Sequence, residues 1–516
     1  MEEVQNCVMK LRSNPRRHRD KVYVGCGAGF GGDRLMAAYK LLQRVKELNY
    51  LVLECLAERT LADRYRIMVS GGKGYDPRVK EWMSLLLPLA FERKVCIITN
   101  MGAMDPLGAQ KEVLNLASVL GLEITVAVAY ESSFETQGSP VLSDESTGGR
   151  GIYELGWNWN DTQLAQGTLA SHLLECGCQL TGGYFMHPGD AYRDFPFEQL
   201  LDLSLPFAEV SCRGEVIVSK VDGSGGLLSP HTCAEQLLYE VGDPANYITP
   251  DMVVDFCNVQ FHQISKDKVS CDGAKPSNAC CPEKLLQLSP TESGWKGWGE
   301  ISYGGHQCLK RAQAAEYLVR SWIGERYPGI NEKIVSYVMG YDSLKAIGGD
   351  EDSYLAKQVL DHWTQEGNYS AKDAGQARIS QAQRNPTCRT MAIQHFEAST
   401  ETPASPAPAL PGKRVALYHV AHSRAGDKGN DMNFSVIPHS PADIGRLRSV
   451  ITPDWVKNAV SPLLGSSSFP DERDVQHRNK LLELVTVEIY YVPGISSLNV
   501  VIFGSESGSE AEPITA

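Results

Sequence analysis

The chain has 516 residues, and 62 acidic against 49 basic side chains give it a formal charge of −13. This length suits two or three domains, and a composition with 42 % hydrophobic residues is that of a globular protein. A net negative charge argues against nucleic-acid binding, which needs clustered Lys and Arg. No apolar run reaches the roughly 18 residues of a membrane span, and the first residues lack the apolar core of a secretory signal. We therefore expect a cytoplasmic protein with reduced cysteines.

The first part of the chain alternates strand-like and helix-like segments. A β-prone run at 22–24 and a glycine cluster at 25–32 precede apolar residues with helical spacing from Leu35 to Val45. Further strands are predicted at 50–54, 95–99 and 124–128, with helices at 81–91 and 110–120 between them. Strands alternating with helices predict an α/β fold with a mostly parallel sheet.

Domain boundaries follow from composition. Residues 1–398 form one large N-terminal unit, divisible into sublobes at 20–200 and 201–398, and a Pro-rich linker occupies 399–412. Residues 413–504 form a small α+β domain with strands at 415–420, 433–437, 482–492 and 497–503, and 505–516 form a disordered tail. In the second sublobe the pattern predicts strands at 207–210, 216–220, 252–256 and 259–263, and helices at 232–240 and 311–323.

Gly27, Gly29 and Gly32 match the G-x-G-x-x-G pattern between a predicted strand and helix. Three interpretations are open: a nucleotide or phosphate site made by backbone N–H groups, a tight turn with Asp33 as helix N-cap, or a polar substrate pocket with Asp33 as a working carboxylate. The Asp33 charge counts against a bound diphosphate because like charges repel.

Polar side chains also follow the next predicted strands. Glu54 and Glu58 follow the second strand, and Asn100 and Asp105 follow the third. Ligands of open parallel sheets bind at this edge, and crowded carboxylates suit acid–base chemistry. Each side chain taken alone could equally be a helix cap or a solvated charge.

The helix predicted at 163–176 places His172 and Glu175 on one face, which suits either a metal-binding fragment or a hydrogen-bonded histidine in the core. Gly182 and Gly183 follow it, and Gly225 lies in a second glycine loop before another helix, which suits anion binding by backbone N–H groups. The spacing of His and Cys residues predicts no metal site.

The small domain contains a dense polar run, His419 to Asn433, between two predicted strands. Its charges could pair internally, Arg424 and Lys428 could bind an anionic group, or the run could close the cleft of the large unit.

Several of these segments resemble the acyclic terpene utilisation protein A (AtuA-like) family. They are GTLASHLLECGCQLTGGYFMHPG at 167–189, EQLLYEVGDPANYITP at 235–250, GEISYGG at 299–305, and the segments 25–33, 50–60, 99–106, 206–210 and 223–226. The run HSRAGDKGNDMN at 422–433, with Ser497-Leu-Asn499, resembles the ferredoxin-like domain that often follows. The resemblance implies a terpenoid or branched acyl substrate class.

The resemblance has one departure. Family members typically carry a longer segment where this chain has only 131–160. The shorter segment leaves open an altered substrate, lost activity or a truncated product.

The leading hypothesis is an acid–base enzyme of the lyase, hydratase or isomerase type. Asp33, Glu54 or Glu58 would move a proton and Asn100 would hold a carbonyl oxygen, in a hydration, elimination, isomerisation or cyclisation. We expect no metal and no cofactor, with CoA entering only as part of a thioester substrate. We also expect a small-molecule substrate, no nucleic-acid or membrane partner, and a homo-oligomer as an open option. The alternatives are a non-catalytic binding or scaffold protein with a shortened cleft, and an NAD(P)-dependent oxidoreductase.

Overall fold

The computed structural model describes residues 18–129, 155–157, 162–181, 202–203, 205–249, 252–279, 297, 299–303, 307–336, 338, 417–428, 431–465, 467 and 469–504. The predicted linker and tail, Gly182 and Gly183, and all but 155–157 of the 131–160 segment lie outside these residues.

A seven-stranded sheet organises the large unit. Its strands are β1 (Lys21–Gly29), β2 (Tyr50–Glu54), β3 (Cys96–Thr99), β4 (Phe207–Ser211), β5 (Val216–Ser219), β8 (Gln260–Ser265) and β9 (Lys268–Asp272). They lie side by side in the order β3-β2-β1-β4-β5-β9-β8. A small sheet is formed by β6 (Tyr247–Ile248), β7 (Val253–Asp255) and β10 (Lys275–Pro276).

The α/β class predicted from the sequence is confirmed, and the parallel pairing has a definite place. β1 pairs parallel with β2, and β2 with β3, in the half of the sheet built from the first segments. The other half is antiparallel, beginning where β1 pairs with β4, from Lys21 opposite Ser211 to Gly25 opposite Phe207. One sheet therefore joins strands from both predicted sublobes.

Helices cover the sheet and supply two apolar cores. They are α1 (Leu35–Arg44), α2 (Glu58–Val69), α3 (Val79–Arg93), α4 (Pro106–Val119), α5 (Thr162–Glu175), α6 (Gly177–Leu180), α7 (Pro230–Leu237) and α8 (Cys308–Arg326). In α1 the buried residues Ala38, Leu41 and Leu42 recur at helical spacing and pack with β1 and β2 in one core. Helices α5 and α7 contribute to a second core with β4 and β5. None of the described helices combines the length and apolarity needed to cross a membrane.

The structure corrects two predicted strands and adds helices α2 and α6 and strand β9. Residues 124–128 form no strand, although their side chains alternate in burial, and the Val126 carbonyl accepts a hydrogen bond from the Gln110 amide of α4 (2.7 Å). In the predicted strand at 415–420, Leu417–His419 form a 3-10 turn. Helix α2 was not predicted, and five of its twelve residues are charged.

The C-terminal domain has the α+β composition predicted for it. Its sheet contains β11 (Ala421–His422), β13 (Asp431–Pro438), β15 (Ser497–Phe503) and β14 (Thr486–Val492) in that order, with β12 (Ala425–Lys428) also paired to β13. Helices α9 (Ile444–Val450), α10 (Pro453–Val460) and α11 (Glu472–Leu484) accompany it. The domain packs on the large unit: Val492 belongs to the core of β4 and β5, and the Gly494 N–H donates to the Cys257 carbonyl (2.9 Å).

Candidate functional site

The carboxyl ends of β1, β2 and β3 converge at one edge of the sheet because these strands are parallel. Gly29, the last residue of β1, pairs in register with Glu54, the last residue of β2. Asn100 follows the end of β3 directly. The structure thus brings together three of the residues predicted for the site.

Asn100 connects the ends of β2 and β3 through its side-chain amide. Its Nδ2 donates to Glu54 Oε1 (3.0 Å), and its Oδ1 accepts from the Cys55 N–H (2.8 Å). The same Glu54 oxygen accepts from the Leu56 N–H (2.9 Å). Two donors therefore hold a half-buried carboxylate in one orientation at the edge of the sheet.

Asp33 closes the turn that follows β1. Its Oδ2 accepts from the Gly29 N–H (2.6 Å), and the residue is 7 % exposed. Helix α1 begins at Leu35 with Arg34 in the N-cap position, so the interpretation of Asp33 as N-cap is wrong. Burial and then the Asp33 charge raise the pKa of the nearby Cys178 thiol to about 12.

The glycines of the G-x-G-x-x-G pattern do not occupy the place that they have in a dinucleotide-binding site. Gly27 and Gly29 belong to β1 itself and do not form a loop after the strand. A Cβ on Gly27 would lie 2.5 Å from Leu53, and a Cβ on Gly29 would lie 2.6 Å from the Glu175 carbonyl oxygen. Gly32 lies in the turn, facing the exposed ring of Phe30. Close packing alone is enough to require glycine at Gly27 and Gly29.

Arg78 is a charged residue at this edge that the sequence analysis missed. Its Nε donates to Asp76 Oδ1 (3.0 Å), its Nη2 donates to Asp76 Oδ2, and Nη2 would lie 3.2 Å from a Cβ on Gly31. Burial raises the pKa of Asp76, but hydrogen bonds from Arg78 outweigh it and hold that pKa below its ordinary value. The only signal was Tyr75-Asp-Pro-Arg78 before a helix, which is typical of a turn.

The other predicted residues have separate places. Asp105 caps α4, accepting from the Gly108 N–H (2.8 Å), and Glu58 is the first residue of α2. Gly225 forms an isolated bridge with Leu203, and Lys428 ends β12.

His172 lies between α5 and α7 and is 4 % exposed. Its Nε2 is 3.1 Å from the Leu237 carbonyl oxygen, and its Nδ1 is 3.3 Å from the Tyr247 hydroxyl. The carbonyl can only accept, so Nε2 carries the proton and Nδ1 faces the hydroxyl. Glu175 Oε2 lies 3.5 Å from the same Nδ1. These contacts are those expected of a hydrogen-bonded histidine in the core.

Arg424 lies at the contact between the two domains. Its guanidinium stacks on the Tyr239 ring at 3.6 Å from the centroid and donates to Gln236 Oε1. A Cβ on Gly426 would lie 2.8 Å from the Glu240 side chain. The polar run therefore packs against the end of α7 in the large unit, and its closing of a cleft stays a prediction.

A cluster of titratable groups, which we call the junction cluster, occupies the same contact: Glu235, His231, His422 and His439. His422 Nε2 lies 3.4 Å from Glu235 Oε1, and both residues are buried. The His422 ring is 5.5 Å from the His231 ring and 5.3 Å from the His439 ring. Burial raises the pKa of Glu235 to about 7, with Arg424 opposing the rise. The sequence analysis missed Glu235 and His422 as site residues, although both lie in motifs that it singled out.

The junction and the sheet edge adjoin each other. Arg424 opposes the rise that burial causes in the pKa of Cys176 and Cys178, so its charge reaches both thiols. Gly29 packs directly on the backbone from Glu175 to Gly177. The corner between α5 and α6 thus separates the two groups of polar residues.

Comparison with protein-family models places the whole described fold in a known group. The model of the acyclic terpene utilisation family protein AtuA matches residues 22–139 and 142–409. The chain belongs to the AtuA family. The model of the AtuA ferredoxin-like domain matches residues 415–511. Neither the curated proteins nor the solved structures give a match.

Within this AtuA-family chain, the motifs that carry the resemblance meet in space. The 235–250 segment provides Glu235, Gln236 and the backbone after α7, and the 422–433 run of the ferredoxin-like domain provides the side chains that contact them. The family motifs therefore describe a domain contact as well as a sheet edge.

Proposed function

We propose that this AtuA-family chain is an enzyme that moves a proton on an acyclic terpenoid or branched acyl compound, including its CoA thioester. The reaction is an elimination, hydration, isomerisation or cyclisation. The family supports the substrate class. The observation that carries the chemistry is the contact between Glu54 and Asn100 at the carboxyl edge of three parallel strands.

Glu54 is the proposed base. A base must be held in position and face a place where a substrate can enter. Asn100 and the Leu56 N–H fix one carboxylate oxygen, and the edge of an open parallel sheet is where ligands of such folds bind. The base would take a proton from the carbon next to the acyl carbonyl.

Two further groups complete the proposal. One N–H of the Asn100 Nδ2 group donates a hydrogen bond to Glu54. The second N–H is the proposed hydrogen-bond donor to the substrate carbonyl oxygen as negative charge develops there. Arg78, held by Asp76 beside Gly31, is the proposed partner of an anionic end of the substrate, since guanidinium groups pair well with carboxylate and phosphate.

The experiment incubates the purified full chain with acyclic branched acyl-CoA thioesters in deuterated water and measures deuterium at the carbon next to the carbonyl by mass spectrometry. We expect the wild type to exchange deuterium at this carbon, and we expect Glu54→Gln to lower the exchange rate by about 100-fold or more. Glu123→Gln, at an exposed carboxylate beyond the far end of α4, is the matched control and should leave the rate unchanged.

Ligand binding separates the proposal from its alternatives. Thermal shifts are measured with acyl-CoA, free CoA, NAD(H) and NADP(H). Stabilisation by a dinucleotide and not by acyl-CoA would replace the proposal with the oxidoreductase. Binding of acyl-CoA with no exchange in the wild type would favour the non-catalytic binding protein.

A further inference from the structure

The junction cluster is built from both domains. Glu235 and His231 come from α7 of the large unit, whereas His422 comes from β11 and His439 follows β13 of the C-terminal domain. A buried carboxyl group facing a buried imidazole is costly unless one shares a proton with the other. Neither group belongs to the sheet edge proposed for the substrate.

The members of the cluster form an ordered series from the surface to the interior. His231 is exposed, His439 is half-buried, and His422 and Glu235 are 8 % and 4 % exposed. His422 is the central member: its ring lies 5.5 Å from the His231 ring and 5.3 Å from the His439 ring, and its Nε2 lies 3.4 Å from Glu235 Oε1. The imidazole of His422 therefore stands between a solvent-facing histidine and a buried carboxyl.

Helix α7, which carries Glu235 at the buried end of the series, packs against both α5 and α6. Arg424 is the positive charge that acts on Glu235, and it also acts on Cys176 and Cys178. Cys178 is within the influence of Asp33, which closes the turn after β1. Because Gly29 at the end of β1 packs on the same corner of α5 and α6, the helix that carries the buried end of the series packs on elements that lie directly behind the end of β1.

We infer that His231, His422 and Glu235 form a proton relay that exchanges protons between solvent and the interior behind the sheet edge. The C-terminal domain supplies its central group. In one transfer the Glu235 Oε1 proton passes to His422 Nε2, the Nδ1 proton of His422 leaves to His231 or water, and Glu235 becomes a carboxylate. The reverse transfer restores the acid. The catalytic use of the relay rests on the proposed function.

Two properties of the groups suit this role. Burial brings the Glu235 pKa to about 7, close to the ordinary range of an imidazole, so the proton passes in either direction without a large cost. The charged and titratable neighbours are Arg424 beside Glu235, His439 beside His422, and His172 on α5, the helix packed against α7.

Histidine NMR titration of the full chain tests the pair without any substrate. Glu235→Gln should lower the pKa of His422 by about one unit, because a neighbouring carboxylate stabilises the imidazolium. The matched control is the exposed pair His262–Asp272, 3.8 Å apart on β8 and β9, where Asp272→Asn should shift His262 far less. An equal and small shift in both pairs would overturn the relay.

Deuterium exchange on the acyl substrate tests the use of the relay. His422→Ala should slow exchange about tenfold or more, and free imidazole should restore much of the rate, which it would not do for a purely structural histidine. The control His262→Ala should exchange deuterium at the wild-type rate with or without free imidazole. A slow variant that imidazole leaves slow would overturn the relay. If the titrations of His422 and Glu235 are coupled but the wild type exchanges no deuterium into the acyl substrate, the proposed function is contradicted and the relay is not.

Discussion

Asn433 and Asn499 are hydrogen-bonded to each other across two strands of the C-terminal domain, and both amides also bind the large unit. Asn433 Nδ2 donates to Asn499 Oδ1 (2.9 Å) and to the Leu238 carbonyl (2.6 Å). Asn499 Nδ2 donates to the carbonyls of Val241 and Gly242, each at 2.7 Å. A helix end leaves carbonyl groups without partners in the helix, and here a second domain supplies the donors for the end of α7.

We predict that Asn499→Ala destabilises the whole chain. Asn499 is fully buried, and removing its amide leaves two carbonyl groups and the Asn433 amide without their donor or acceptor. A buried polar group that loses its partner costs about 1–3 kcal/mol, so we expect a loss of roughly 2–4 kcal/mol in the free energy of unfolding. Urea denaturation measures it.

Asn458→Ala is the control for this substitution. Asn458 lies exposed on α10 of the same domain, and exposed substitutions usually change stability by no more than about 0.5 kcal/mol. An Asn499→Ala loss as small as that of the control would contradict the role given to the asparagine pair.

We also predict that Glu235 makes stability depend on pH. Its pKa rises from 4.5 in the unfolded chain to about 7 in the folded protein, so its contribution is fully present below pH 4.5 and is lost as pH rises through 7. The difference between these two pKa values corresponds to at most about 3.5 kcal/mol in the free energy of unfolding, at about 1.4 kcal/mol per pH unit. Glu235→Gln should therefore gain stability relative to wild type between pH 5 and pH 8.

The comparison between the two proteins gives the pH dependence that Glu235 causes, including the effect of its charge on His422. Although His231 is an exposed residue, its ring is partly shielded from water, and this desolvation together with the His439 charge lowers the pKa of His231. That gives a contribution of opposite sign, but His231 is present in both proteins and its contribution largely cancels. Denaturation at several pH values measures the difference. A difference that is the same at pH 5 and pH 8 would show that Glu235 titrates normally.

Arg424 should be more sensitive to replacement by lysine than a similar arginine on the surface. Lysine keeps the charge but loses the planar group that stacks on Tyr239 and donates to Gln236. We expect Arg424→Lys to cost about 1–2 kcal/mol. Arg448, stacked over Tyr491 at 4.6 Å and exposed, is the matched control, and Arg448→Lys should cost less than about 0.5 kcal/mol. Equal costs would mean that the stacking at the junction adds nothing.

The alternation of apolar segments was enough to predict several elements in the first half of the fold. Helix α1 and strands β2 and β3 lie where the sequence pattern predicted them. Helix α1 buries one face in one core, and the two faces of β2 and β3 pack against the two different cores. Residues 124–128 have the same alternating pattern but form no strand. The pattern describes which side chains are buried and does not reveal whether the backbone pairs with a neighbouring strand.

The sheet edge was predictable because parallel strands bring their ends together whatever the side chains are. The junction was not, because it depends on how α7 meets β13, across about 200 residues of sequence. His422 and Glu235 lie in motifs that resemble the family, but a motif does not reveal which of its side chains are buried against each other. Arg78 was missed for the same reason, since its contact with Gly31 depends on packing.

The last prediction concerns the reason for glycine at the end of β1. A methyl group at Gly29 would lie 2.6 Å from the Glu175 carbonyl oxygen and 2.8 Å from the Gly177 nitrogen, and both are backbone atoms that cannot swing away. Gly29→Ala should cost about 1–3 kcal/mol, as overpacking of a core does, with no ligand present. Gly445→Ala in α9, where an added Cβ meets nothing within 4 Å, should instead gain up to about 1 kcal/mol. Thermal unfolding of both variants without ligand measures the contrast. An undisturbed Gly29→Ala protein would mean that glycine at this position serves the approach of a ligand to the backbone and not the packing of α5 and α6 on β1.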